Sequence, residues 1–175
     1  MRAARQGTFD GLCGIYAIIN ALDPAGVKLR RGQLHTDLFK ELTHGLGAVS
    51  LLAAMHEGLE RDDLLRAAKA AFRWLALEHG IELTIEAPYA KHRFRQPDTF
   101  IKAVRGHLAA EGQALILYVN MPNRDHWTVP TAIIGRRLFL RDSGGTASIP
   151  LSRLTPDGTD WAFSAADTIL IRKVS

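Results

Sequence analysis

At 175 residues, with 47% hydrophobic and 23% charged side chains, the chain has the composition of an ordinary soluble globular protein and is long enough for one domain with a sizeable core. No apolar stretch approaches the roughly 20 residues needed to span a bilayer, and Met1 to Gln6 is not followed by an apolar signal region, so membrane insertion is not expected and the location is read as cytoplasmic, or as export without a conventional signal peptide. The single cysteine, Cys13, excludes an internal disulfide, and a net charge of +4 is basic without being extreme.

The first half reads as helical. Ile15, Ile18, Ile19 and Leu22 fall at helical spacing before Asp23-Pro24 stops the run, and Leu34, Leu38, Phe39 and Leu42 repeat that spacing before Gly45. Leu51 to Leu59 and Leu64 to Glu78 continue the pattern, the second closed by Gly80. Ile81 to Ile85 alternates as a strand does. One more helix opens near Asp98, carries Phe100, Ile101, Val104 and Leu108, and ends at Gly112. The remainder is read as strand: Ala114 to Asn120, a hairpin of Asp125 to Ile134 and Arg137 to Asp142 turning at Gly135-Arg136, and Asp167 to Lys173. Helices first and a mainly antiparallel sheet afterwards predict an α+β domain. With no repeat, low-complexity tract or linker, residues 1–175 are read as a single domain.

Cys13 opens the first of these helices, in a segment running from Gln6 through Gly11 to Cys13-Gly14. Unpaired N–H groups and the positive end of the helix dipole favour thiolate there, which makes Cys13 a candidate nucleophile; a small buried hydrophobe is the alternative. A nucleophilic cysteine needs a base and usually an orienting group. His126 starts one strand of the hairpin and Asp142 ends the other, and those positions lie at the same end, so Asp142 can hold the His126 ring in one tautomer and stabilise its charged form. Two rivals stay open: Asp142 capping the turn with its own side chain, and Asn120, at the end of a neighbouring strand, as the orienting group. Trp127 either shields the pair from water or fills the core, and Asp10 and Asp125 read as loop residues near the cleft.

The order Gln6, Cys13, His126, Asp142 resembles that of the papain-like cysteine peptidases. Cys13-Gly14 opening a helix, and His126-Trp127-Thr128-Val129 beginning a strand, are most similar to the compact bacterial branch that includes the leader-cleaving peptidase domains of bacteriocin exporters. The resemblance spans nearly the whole chain in the order of elements, and a few short motifs in residues. It implies a papain-like fold, a helical N-terminal half packed on a mainly antiparallel C-terminal sheet, with the cleft between the helix of Cys13 and the sheet carrying His126. In that pattern Cys13 is the nucleophile, His126 the general base and then acid, and Asp142 the orienting residue. Gln6 is a side-chain donor to the oxyanion hole beside the Cys13 N–H. Gln6 stands seven residues before Cys13, about one more than the usual spacing of the pattern.

The expected function is a cysteine-dependent hydrolase that cleaves a peptide or amide bond of a protein or peptide substrate through a thioester, with no cofactor. The same triad serves deamidases, acyltransferases and transglutaminase-like enzymes, including secreted effectors with a partner or immunity protein. A non-catalytic peptide- or partner-binding module of the same fold is the rival from another class.

Other features carry less. Asp142-Ser143-Gly144-Gly145 is similar to the nucleophile loop of trypsin-like serine peptidases, but a helical first half contradicts that all-β architecture and leaves a Gly-rich turn. The seven histidines include no close pair with a carboxylate at ligand spacing; His35, His44, His56, His79 and His107 fall on predicted helices or their ends, and no metal site is expected. Tyr89 to Arg95 interleaves cations with aromatics, a composition shared by RNA or acidic-peptide contacts and by a solvated strand-to-helix loop. The loop is the preferred reading, and nucleic acid is not an expected partner.

Overall fold

The helix that begins at Cys13 is apolar on almost every side, and the fold is arranged to enclose it. In this helix, α1 (Cys13–Leu22), nine of ten residues are buried, with Tyr16 half-buried. A helix without a polar face has to be covered all round. The structure, a computed structural model, describes residues 11–29, 32–94, 96–121, 124–154 and 162–174; Gln6 and Asp10 lie outside the described residues.

Three helices follow, α2 (Gln33–Leu46), α3 (Ala48–Glu57) and α4 (Arg61–His79), then β1 (Leu83–Glu86) and α5 (Pro97–Ala109). The chain continues through β2 (Gln113–Met121), β3 (Arg124–Ile134), β4 (Arg137–Arg141), β5 (Ser148–Pro150) and β6 (Ala162–Lys173). The strands form one sheet in the order β1-β6-β2-β3-β4-β5, antiparallel at each pairing. The protein is thus an α+β fold of helices and antiparallel sheet. Among the described residues no helix is long and apolar enough to cross a membrane.

Strand alternation divides the interior in two. Ala114 and Ile116 of β2 and Ile169 and Ile171 of β6 join α1, α2 and α4 in the larger core, whereas Leu115, Leu117, Val119 and Leu170 face the core built on Phe100 and Val104 of α5. Phe100 and Phe163 stack at 4.0 Å in this second core. In α4 the buried residues Leu64, Ala67, Ala68, Ala71, Phe72 and Leu75 recur at three- and four-residue spacing. Each of its large side chains contributes about 1.5–3 kcal/mol by burial. Asp62 and Asp63 in the first turn and His79 in the last suit the helix dipole, and Gly80, at φ 62°, ends the helix in the left-handed conformation that glycine adopts without strain.

Several element boundaries differ from the sequence reading: α3 spans Ala48–Glu57 and not Leu51 to Leu59, β1 spans Leu83–Glu86 and not Ile81 to Ile85, and α5 ends at Ala109, before Gly112. The helix expected to end at Gly45 runs on to Leu46, because Gly45 is where α2 crosses α4: a Cβ there would lie 2.9 Å from the Ala67 Cα. The last strand, expected from Asp167, already begins at Ala162. An irregularity in its pairing, between Ile116 and Tyr118 of β2, breaks the apolar alternation that would have marked its first residues.

Candidate active site

Cys13 occupies the first position of α1, behind Leu12, which supplies no side-chain cap. Its thiol is buried, with Sγ 3.9 Å from the Gly11 carbonyl oxygen. Two glycines set where the sulfur sits. The Gly11 N–H donates to the Met55 carbonyl at 2.9 Å, and a Cβ on Gly11 would come 2.2 Å from the Ala54 carbonyl oxygen, so the segment leading to Cys13 lies directly on the last turn of α3. A Cβ on Gly14 would meet Leu64 methyls at 3.1 and 3.2 Å and Trp127 Cδ1 at 3.3 Å, so glycine lets the start of α1 approach both α4 and β3. The Trp127 indole N–H donates to the Leu59 carbonyl at 2.8 Å, fixing that ring under the helix. Of the two readings of Trp127, the core is where it packs, directly against the glycine beside Cys13.

His126 and Asp142 meet across the hairpin. β3 pairs Val129 with Arg141, so one step further Thr128 faces Asp142 and His126 is its diagonal neighbour on the same side of the sheet. His126 Nε2–H donates to Asp142 Oδ1 at 2.5 Å, with both side chains buried. The other carboxylate oxygen, Oδ2, accepts the Thr146 backbone N–H at 2.8 Å. One oxygen of Asp142 therefore accepts from the histidine and the other caps the turn. Asn120 instead pairs with Asp125 and Ala162 in the sheet, while Asp142 holds the histidine. Asp125 accepts the Tyr118 hydroxyl at 2.8 Å.

Nε2 is committed to Asp142, and Cys13, at the start of the helix packed on β3, is near enough to be among the causes that raise the pKa of the ring. Burial pushes the His126 imidazole down, but the hydrogen bond and charge of Asp142, then those of Cys13, outweigh it and bring its pKa up to about 9. Burial pushes the Asp142 carboxyl up, and His126, the Thr146 amide and the nearby Thr128 hydroxyl together hold it below its ordinary value. At neutral pH the pair is imidazolium and carboxylate. A buried imidazolium beside a thiol at a helix start is a group that can stabilise a thiolate, give a proton to a leaving group, and return as a base.

Gln6 falls outside the described residues. Ser143 is buried in the turn that follows Asp142. His107 is held by the Tyr89 hydroxyl at 2.8 Å and by Gln113. Tyr89 and Phe94 pack edge-on against Phe100 while Lys91, His92 and Arg93 are exposed, so the aromatics of that segment anchor a surface loop on α5. Among the described residues no three His, Cys, Asp or Glu side chains converge as metal ligands would. Sequence reasoning missed the contact of Gly11 with α3 and the amide of Thr146. The Asp10-Gly11 and Gly144-Gly145 steps are the local signals of close backbone approach that mark them.

The chain matches no protein-family model and no curated protein sequence.

Proposed function

We propose that the protein is a cysteine-dependent hydrolase of papain-like fold that cleaves a peptide or amide bond through a thioester on Cys13. The observation that carries this reading is the buried hydrogen bond between His126 and Asp142, with Cys13 near enough, at the start of the helix packed on β3, to raise the pKa of the ring. A cysteine-headed helix against a sheet with histidine and aspartate on paired strands also accords with the papain-like arrangement.

In the proposed cycle the Cys13 thiolate, paired with the His126 imidazolium, attacks the substrate carbonyl carbon. The oxyanion meets the Cys13 backbone N–H, a donor that a helix start leaves unpaired, with Gln6 as the proposed second donor. His126 passes its proton to the leaving amine as the C–N bond breaks, leaving the thioester. Neutral His126 then takes a proton from water, the hydroxide attacks the thioester, and the acid leaves as the thiolate and imidazolium are restored. Asp142 keeps the ring in one tautomer through both steps. An amine in place of water would make the same site an acyltransferase, and a glutamine side chain in place of a peptide bond would make it a deamidase.

The first test is the pH dependence of Cys13 alkylation by iodoacetamide in the parent chain and in His126→Ala. The reading expects rapid alkylation of the parent near neutral pH and a slower reaction, shifted to higher pH, in the variant. A protected thiol, or one indifferent to His126, would overturn it and put the binding module first.

A further inference from the structure

Thr128 has a buried side chain, and its Oγ1 is, among the described residues, the one buried side-chain oxygen or nitrogen with no hydrogen-bond partner. Leaving a buried hydroxyl unpaired costs about 1–3 kcal/mol, and valine would fill the same strand position without that penalty. The hydroxyl nevertheless has a neighbour. The β3–β4 register, continued one step past Val129 and Arg141, sets Thr128 opposite Asp142, and the two-residue period of the strand puts it on the same face as His126.

The carboxylate has room for it. Asp142 Oδ1 accepts from His126 and Oδ2 from the Thr146 amide, two of about four lone-pair sites. The Thr128 hydroxyl is a further group beside it that helps hold the carboxyl in its ionised form. Arg141, adjacent in the chain, is turned away to Asp23 at 2.7 Å, so the titratable groups around the carboxylate are His126 of β3 and, beyond it, Cys13 of α1.

We infer that Thr128 is a positioning residue whose hydroxyl, unpaired as it stands, turns onto the facing carboxylate as a third donor to Asp142 and so holds it toward His126. This rests on reading Cys13, His126 and Asp142 as one reacting group. Through Asp142, the hydroxyl would keep the imidazole ring fixed while its other edge exchanges a proton with Cys13 and the leaving group.

The test compares Thr128→Val, which keeps the shape and removes the donor, with Thr128→Ser, which keeps the donor, in the full chain. The readout is the downfield proton resonance of His126 Nε2–H, assigned by its loss in His126→Ala and followed to low pH, where its midpoint reports protonation of Asp142. Taking a donor from a carboxylate disfavours its charged form, so the midpoint is expected to rise by about half a pH unit or more in Thr128→Val, with Thr128→Ser like the parent. Thr128→Ala carries the same expectation should the valine variant not fold. A folded variant with an unmoved midpoint and raised stability is the signature of an orphan hydroxyl and would overturn the inference. If the midpoint stays put while alkylation of Cys13 still depends on His126, the inference falls and the hydrolase reading stands. If the midpoint moves while alkylation ignores His126, the support of Asp142 stands and the hydrolase reading falls.

Discussion

His126 Nε2 and Asp142 Oδ1 lie 2.5 Å apart with side chains 2% and 0% exposed, so the hairpin carries a charge pair where water scarcely reaches. Burial alone would neutralise both groups; their mutual hydrogen bond keeps them charged.

Stability is therefore expected to depend on pH with a defined sign. The folded pKa of His126 is raised to about 9 from 6.5, so its contribution is complete below 6.5 and is lost as pH rises through about 9. The folded pKa of Asp142 is lowered from 3.8, so its contribution is present above 3.8 and is lost as pH falls through the lower folded value. Urea unfolding across pH should place the greatest contribution of the pair between these limits. A decline of roughly 1–3 kcal/mol is expected between pH 6.5 and 9.5, flattened in His126→Gln. An equal decline in that variant would locate the titration elsewhere.

Asp142→Asn removes the charge while keeping the size of the side chain. The imidazole then loses the partner that offsets its burial, and its pKa should fall below that of the parent, read from the ring resonances of His126. At pH 7 the rate of Cys13 alkylation should drop by about tenfold or more, since the imidazolium is the group proposed to stabilise the thiolate. An unchanged ring titration would mean that Asp142 serves the turn through Thr146 and not the histidine.

Two glycine substitutions separate placement of the sulfur from stability at large. Gly11→Ala pushes a methyl into the Ala54 carbonyl, at 2.2 Å, and should displace the segment before Cys13 from α3. Alkylation should slow markedly, with a stability loss of about 1–3 kcal/mol. Gly45→Ala overpacks the α2–α4 crossing at Ala67 and should destabilise by a similar amount while leaving the alkylation profile of the folded protein unchanged. Chemical denaturation and the alkylation rate, measured on the same samples, distinguish the two; equal effects on the rate would remove the special role of Gly11.

Trp127→Phe keeps a ring beside Gly14 and Tyr118 but deletes the indole donor to Leu59. The loss of that buried hydrogen bond should destabilise by about 1–3 kcal/mol. Thermal unfolding checks this, with Trp127→Tyr as a comparison that does not restore the indole nitrogen. A change within a few tenths of a kcal/mol would show that the Leu59 carbonyl finds another partner.

Local chemistry carried much of the fold. The periodicity of Ile15, Ile18, Ile19 and Leu22, the stop at Asp23-Pro24 and the turn at Gly135-Arg136 are short-range effects, decided by which side chains recur on one face and which residues tolerate a bend, and these elements form where they read. Gly45 misled because a glycine that ends a helix and one that lets two helices touch look alike in the chain; the approach of Ala67 separates them. The short strand Ser148–Pro150 has too few residues to show alternation and exists by pairing with β4.

The sequence by itself determined the kinds of group this protein carries: one thiol at a helix start, a histidine at the head of one hairpin strand, and an aspartate at the foot of the other. Tertiary structure alone decided how they are connected. One oxygen of Asp142 goes to His126 and the other to Thr146, α1 brings Cys13 near the ring, and the last turn of α3 sets the backbone just before the sulfur. Periodicity reports which face a residue occupies, because that is set within a few residues. Hydrogen-bond geometry and desolvation depend on groups brought together from more than a hundred residues apart, and exist only once the two layers have packed.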